Sequence, residues 1–124
     1  MKLRSLKFKS VKSTNDIALM LIKKDNIKPS IILSERQTKG RGTMGKKWVS
    51  QKGNLFLSIF FDMSEKKIDF NKFAILNAYL LKNILAKKFS KKIKIKWPND
   101  LLFKKKKKFV EFYKRLLLMQ RKNF

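Results

Sequence analysis

The run from Leu55 to Phe61 is apolar on both alternating faces, broken only by Ser58, and the segment that feeds it carries Gly40-Arg41-Gly42-Thr43-Met44-Gly45 ahead of Trp48. A strand of this kind needs cover on both sides, which predicts a central place in a mixed sheet. Glycines allow positive φ and close backbone approach, so successive N–H groups in such a loop can turn toward an anion. Together they predict a glycine-bearing loop at the rim of a buried strand.

The remaining pattern fits an α+β fold, a mixed sheet with flanking helices. Leu3, Leu6 and Phe8, spaced by Lys and Ser, read as an initial strand or extended arm. Ser13-Thr14-Asn15-Asp16 offers N-caps for a helix with Ile17, Met20 and Leu21 on one face, and Pro29 stops that segment. Ile31-Ile32-Leu33 is a short strand that delivers Glu35, Arg36 and Gln37 to the rim. Asn71 to Phe89 is the clearest helix, with Phe73, Leu76, Leu80 and Ile84 at helical spacing and lysines near its C-terminal end. Ile93, Ile95 and Trp97 alternate with Lys94 and Lys96, and Leu101-Leu102-Phe103 reads as the return strand of a hairpin around Pro98-Asn99-Asp100. At 124 residues, one domain is expected.

Composition narrows the chemistry. With neither cysteine nor histidine, disulfides, thiolate sites, zinc chemistry and a His-dependent triad are excluded. A net charge of +25 first suggests a basic nucleic-acid or membrane-surface module. The lysines, however, are scattered over every segment, arginine is scarce beside lysine, and no helix-turn-helix, zinc finger or RNP-like pattern is present. No specific nucleic acid is therefore expected, and a bias toward lysine codons accounts for the charge. Met1 to Lys12 lacks the continuous apolar core of a signal peptide, and no apolar run approaches the ~20 residues of a transmembrane segment, so a cytoplasmic location is expected.

Three blocks occur in a telling order: Ser13-Thr14-Asn15, the Gly40 to Trp48 loop with its strand, and Lys96-Trp97-Pro98-Asn99-Asp100. In this they resemble the catalytic core of biotin protein ligases, which join biotin to ATP and pass the activated biotin to a lysine of a carrier. The resemblance implies the catalytic domain shared by biotin and lipoate ligases and related to class II aminoacyl-tRNA synthetases. It implies biotin and ATP as substrates, Mg2+, and a biotin carboxyl carrier domain of acetyl-CoA carboxylase or a related carboxylase as partner. A lipoate ligase is the nearest enzymatic rival, disfavoured by the Gly-Arg-Gly loop combined with Lys-Trp-Pro-Asn-Asp. No helix-turn-helix precedes Ser13, so the repressor function of some members is not implied.

By the same resemblance, Ser13, Thr14, Asn15 and Gln37 surround the ureido end of biotin, while Gly40, Arg41, Gly42 and Thr43 fold over biotin and the adenylate. Ser13 to Asn15 also read as plain helix caps, and Asn15 as a solvent-facing residue. Arg41 adds a permanently charged fork that holds carboxylate or phosphate and stabilises charge during adenylation. Trp48 reads either as a cover for biotin and adenine or as ordinary core. Gly45, Lys96, Asn99 and Asp100 complete the nucleotide side, with Asp100 as the magnesium ligand, although Lys96 equally reads as the polar side of its strand.

Two departures stand out. Many members carry arginine where this chain has Thr43, and Lys46 or Lys47 are the cations left to compensate. The family lysine that reaches the biotin carboxylate and phosphate precedes a small-Gly-Ile-Leu-acidic strand; here Lys107 or Lys108 occupies that place but Phe109-Val110-Glu111-Phe112 follows. One choice of codons for Lys108 to Leu117, read in a shifted frame, gives Ile-Cys-Gly-Ile-Leu-Gln-Glu-Ile-Ile. The expectation is a partial catalytic domain over residues 1–108 and an out-of-frame basic amphipathic tail over 109–124, truncated by a frame slip at Lys104 to Lys108. Phe109, Phe112, Tyr113, Leu116 and Leu117 then fall at helical spacing, and weak or absent ligase activity is expected of the truncated chain.

Overall fold

A computed structural model describes residues 2–42, 45–63, 69–97, 100–104 and 107–111. The chain divides into two compact units, Met1–Lys66 and Lys67–Phe124.

The first unit holds β1 (Arg4–Phe8), α1 (Thr14–Lys23), β2 (Ser30–Ser34) and β3 (Phe56–Phe60). β1 and β2 are parallel and joined through α1, and β2 and β3 are antiparallel, giving a mixed sheet of order β1-β2-β3. The centre is β2. Ser30, Ile32 and Ser34 are buried on one of its faces, and the register sets Ile32 opposite Ser58 and Ser34 opposite Phe56. The apolar run at 55–61 therefore does not take the central place expected of it. Among the described residues β3 pairs with β2 alone, burying Phe56 and Ser58 beneath α1 while Leu57 and Ile59 stand 43% and 48% exposed. Period-two apolarity reports that a strand could be covered twice, not that it is.

In α1 the inward positions are Thr14 and Ala18, whereas Met20 is exposed. The helix ends well before Pro29. Asp25 takes a left-handed φ of 58°, and the N–H groups of Asp25 and Asn26 donate to Ile22 O and Leu21 O at 3.0 and 2.9 Å, turning the chain without a glycine.

The second unit holds α2 (Phe70–Lys88) and an antiparallel sheet of order β4-β5-β6, from β4 (Ile93–Lys96), β5 (Asp100–Phe103) and β6 (Lys107–Glu111). Its core joins Ala78, Ile93 and Leu101, with Leu81, Leu85 and Phe103 packed around them. The predicted stripe Leu76, Leu80 and Ile84 lies on the exposed side instead. A helix apolar around most of its circumference does not announce its inner face by period, and the small side chain of Ala78 lets the sheet approach there. Similarly Ile93 is buried, while Ile95 and Trp97 of the same alternation are exposed. The β4–β5 hairpin forms as expected, with Lys96 opposite Asp100.

Residues 107–111 continue the sheet as β6, so Phe109 stands in a strand and not on the helix expected of the tail. The register against β5 shifts between Leu101 and Leu102, pairing Leu101 with Val110 and Leu102 with Lys108. The rest of the expected tail, 112–124, lies outside the described residues, as do Thr43 and Asn99.

Candidate functional site

Burying polar side chains is costly unless each finds a partner, so a polar cluster inside a sheet–helix interface marks a place the sequence maintains against that cost. The first unit contains one. Ser13, Thr14 and Ser58 are buried, and Thr14 Oγ1 lies 2.8 Å from Ser58 Oγ. Ser58 Oγ in turn donates to Asn15 Oδ1 at 2.6 Å. Gln37, on the segment leaving β2, accepts at Oε1 from the backbone N–H of Thr14 at 2.8 Å, with Thr14 Oγ1 also 3.2 Å away.

The start of α1 explains the arrangement. Ser13 occupies the N-cap position in extended conformation, yet its side chain makes no capping hydrogen bond. Gln37, just past β2 and bridged to Val11, caps the helix from the neighbouring segment, satisfying an N–H that the helix cannot pair internally. Its Nε2 donates to Ser50 Oγ at 3.3 Å, which ties the far end of the glycine loop to the same cluster. Backbone bonds hold the two ends as well: Val11 N–H donates to Arg36 O, and Thr38 N–H to Val11 O.

The glycine loop is a small antiparallel excursion rather than an open anion nest. Trp48 N–H donates to Gly40 O at 2.9 Å and Gly42 N–H to Lys46 O at 2.7 Å, with Arg41 bridged to Lys47. The Gly42 amide is thus engaged within the loop and does not offer its proton to an anion. Gly40 is required by close approach: a Cβ there would lie 2.6 Å from Ser50 Oγ and 3.1 Å from both Gln37 Nε2 and Trp48 O. Of the three loop glycines, Gly45 alone has positive φ, at 74°. A Cβ on Gly42 would stand 3.9 Å from Trp48 Cε3, so the half-exposed indole lies beside this glycine.

Arg41 pairs with Asp16 in the first turn of α1, both side chains partly exposed. The pair brings the loop's cation to the helix that carries Thr14 and Asn15. Within the first unit, then, Thr14, Asn15, Gln37, Gly40, Arg41 and Trp48 come together as a neighbourhood. Ser58, Ser50 and Asp16 belong to it and were not singled out from sequence. Ser58 was visible as the lone polar residue of an apolar run; the partners of the other two depend on tertiary placement.

In the second unit, Lys96 is exposed on β4 and Asp100 is buried at the start of β5. The backbone at Lys107 and Lys108 lies in β6, opposite Phe103 and Leu102. Among the described residues, no group of three acidic, histidine or cysteine side chains is placed to hold a metal ion. No helix of the described residues is long and apolar enough to cross a membrane.

Comparison with known proteins places the chain in a family. Residues 7–110 match the Biotin/lipoate A/B protein ligase family. The bifunctional ligase/repressor BirA of Escherichia coli is 33% identical over 76 residues, which are 60% of this chain and 24% of BirA. Among solved structures, the biotin acetyl coenzyme A carboxylase synthetase of Helicobacter pylori, with bound biotinylated ATP, superposes with a TM-score of 0.73 at 28% identity, over 82% of this chain and 50% of that one. The biotin protein ligase of Aquifex aeolicus, in complex with biotin and ATP, gives 0.68 at 29% identity, over 81% and 41%. The chain thus spans about a quarter of the curated relative and half or less of these solved structures. On the sequence match over most of its length and the α+β architecture it shares with these structures, the chain belongs to the biotin/lipoate A/B protein ligase family.

Proposed function

We propose that this chain carries the biotin-recognising part of a biotin protein ligase, an enzyme that activates biotin with ATP to biotinyl-5'-AMP and transfers it to a lysine of a biotin carboxyl carrier protein. The observation that carries the reading is the cluster of Thr14, Asn15, Gln37 and Ser58 beside Arg41. Biotin presents a cyclic urea with two N–H donors and one carbonyl at one end and a carboxylate at the other. The cluster offers hydroxyl and amide groups suited to the first, and Arg41 a charge suited to the second.

During adenylation the carboxylate and the α-phosphate approach despite like charge, and Arg41 stabilises that approach. Gly40, Gly42 and Thr43 cover the bound acid, Trp48 shields it, and Ser13 shapes the floor at the helix start. Gly45, Lys96, Asn99 and Asp100 serve the nucleotide, with Asp100 toward Mg2+, and Lys107 or Lys108 toward the carboxylate.

The test is calorimetric titration of the chain with biotin and with lipoate, each with and without ATP. Saturable biotin binding, lost in Arg41→Ala and absent with lipoate, supports the reading. Tighter uptake of lipoate, or salt-dependent DNA binding unaffected by biotin, contradicts it.

A further inference from the structure

The outer side of α2 inverts the usual order of a surface helix. Ala78 is buried with Ile93 and Leu101, and Leu81 and Leu85 pack around them, so the sheet β4-β5-β6 takes one side of the helix. The opposite side should then be polar. Instead Leu76, Tyr79, Leu80 and Ile84 stand there between 48% and 54% exposed, at positions that share one helical stripe. The stripe, interrupted only by Asn83, runs about 12 Å along the axis. Lys72 lies one turn before it and Lys87 one turn after it, both exposed on the same side.

Charge says what can cover such a face. From Phe70 to Asn99 the chain has eight lysines and neither Asp nor Glu. Lys87 and Lys88 in the last turn of α2, and Lys91 and Lys92 just beyond it, are all exposed. The helix macrodipole accounts for lysines in a last turn, but it equally favours acids in a first turn, and α2 has none there. Asp69, just before the helix, meets Lys72 at 3.9 Å. A second copy seated on the stripe would press lysine against lysine with no acid to answer. An acidic groove would have to wrap the helix, whose far side the sheet already holds. A plane meets the strip along its whole length.

We propose that this face of α2 lies on an anionic lipid surface, its apolar side chains at the boundary of headgroups and acyl chains and its flanking lysines against lipid phosphates. The helix lies along that surface, being neither long nor apolar enough to cross a membrane. In water without lipid, the same uncovered stripe is the source of self-association. This inference goes beyond the biotin reading and does not depend on it.

The full chain is co-sedimented with vesicles of phosphatidylcholine, with and without phosphatidylglycerol. It should bind the anionic vesicles, and less as salt rises. Leu80→Asn combined with Ile84→Asn should weaken that binding about tenfold, and Lys87→Gln combined with Lys88→Gln about tenfold as well. Lys23→Gln combined with Lys24→Gln removes the same charge from the exposed end of α1 and should change it by less than about twofold. Equal losses from the two lysine pairs, or none from the asparagine pair, would show the bulk attraction of a polycation and overturn the proposal.

The chain has no cysteine, so Tyr79→Cys and Lys94→Cys can each carry a single environment-sensitive fluorophore. Lys94 alternates with Ile93, which faces α2, and so stands on the other face of its strand. Anionic vesicles should shift the emission of the label at position 79 to the blue and leave the label at 94 unchanged. No shift at 79, or a shift there produced by an oligonucleotide and not by vesicles, overturns the proposal independently of how the other variants fold.

Discussion

The backbone N–H of Thr14 and the side-chain oxygen of Gln37 meet at 2.8 Å, so the first turn of α1 is closed by a residue that follows β2 and bridges to Val11, and not by the side chain of its own N-cap. Helix start, glycine loop and strand β3 are thereby one polar assembly. Gln37→Ala breaks it at two points, the cap and the bond to Ser50. Urea unfolding should show a loss of about 1–2 kcal/mol, the scale of a removed cap plus an orphaned buried donor. A change indistinguishable from zero would mean that α1 is capped otherwise.

Gly40 and Gly42 are alike in sequence and unlike in space. Gly40→Ala must push the Ser50 hydroxyl off Gln37 and crowd the Trp48 carbonyl, and should cost about 1–2 kcal/mol in the same unfolding experiment. Gly42→Ala meets nothing nearer than Lys46 O at 3.5 Å and should stay within about 0.5 kcal/mol of wild type. Equal losses would mean the loop is built differently.

The Arg41–Asp16 pair is partly exposed, and such pairs contribute at most about 1 kcal/mol to stability. Its effect on ligands should be larger than its effect on folding. A carboxylate reaching Arg41 has Asp16 as a competitor, so Asp16→Asn should tighten biotin binding by roughly two- to fivefold at low salt, with the gain shrinking as salt rises. Calorimetry at two ionic strengths checks this; weaker binding in Asp16→Asn would instead make the carboxylate a support that holds Arg41 in place.

The second unit offers a test of which side of α2 faces inward. Leu101 is fully buried, and Leu101→Ala should cost about 2–5 kcal/mol by thermal or urea unfolding. Leu80 is half exposed, so Leu80→Lys should leave stability within about 0.5 kcal/mol and reduce self-association seen by light scattering. The reverse ranking would restore the stripe Leu76, Leu80 and Ile84 as the inner face.

Element types were legible where local chemistry decides them. The strand at Ile31 to Leu33, the helix after Ser13 and the hairpin returning at Asp100 follow from caps, alternation and a proline turn, and all three form. Facing was not legible. Leu57, Ile59, Leu76 and Ile84 belong to elements apolar on more than one side, and only tertiary packing selects the buried one. Among site residues, Thr14 and Gln37 came from a family resemblance and prove to be hydrogen-bonded. Ser58 was visible only as a polar break in a strand, because its meaning depends on Thr14 and Asn15, more than forty residues earlier in the chain. The glycine loop suggested free amides; its own short-range backbone pairing consumes the one at Gly42.

The proposed biotin site joins the start of α1, Gln37 and the glycine loop. Proton–nitrogen correlation spectra of the chain, recorded during titration with biotin, test it most directly. Saturable shifts are expected in the backbone amides of Thr14, Asn15, Gly40, Arg41 and Ser58 and in the side-chain amides of Gln37 and Asn15. Saturable shifts confined to other residues, or none at all, would contradict it.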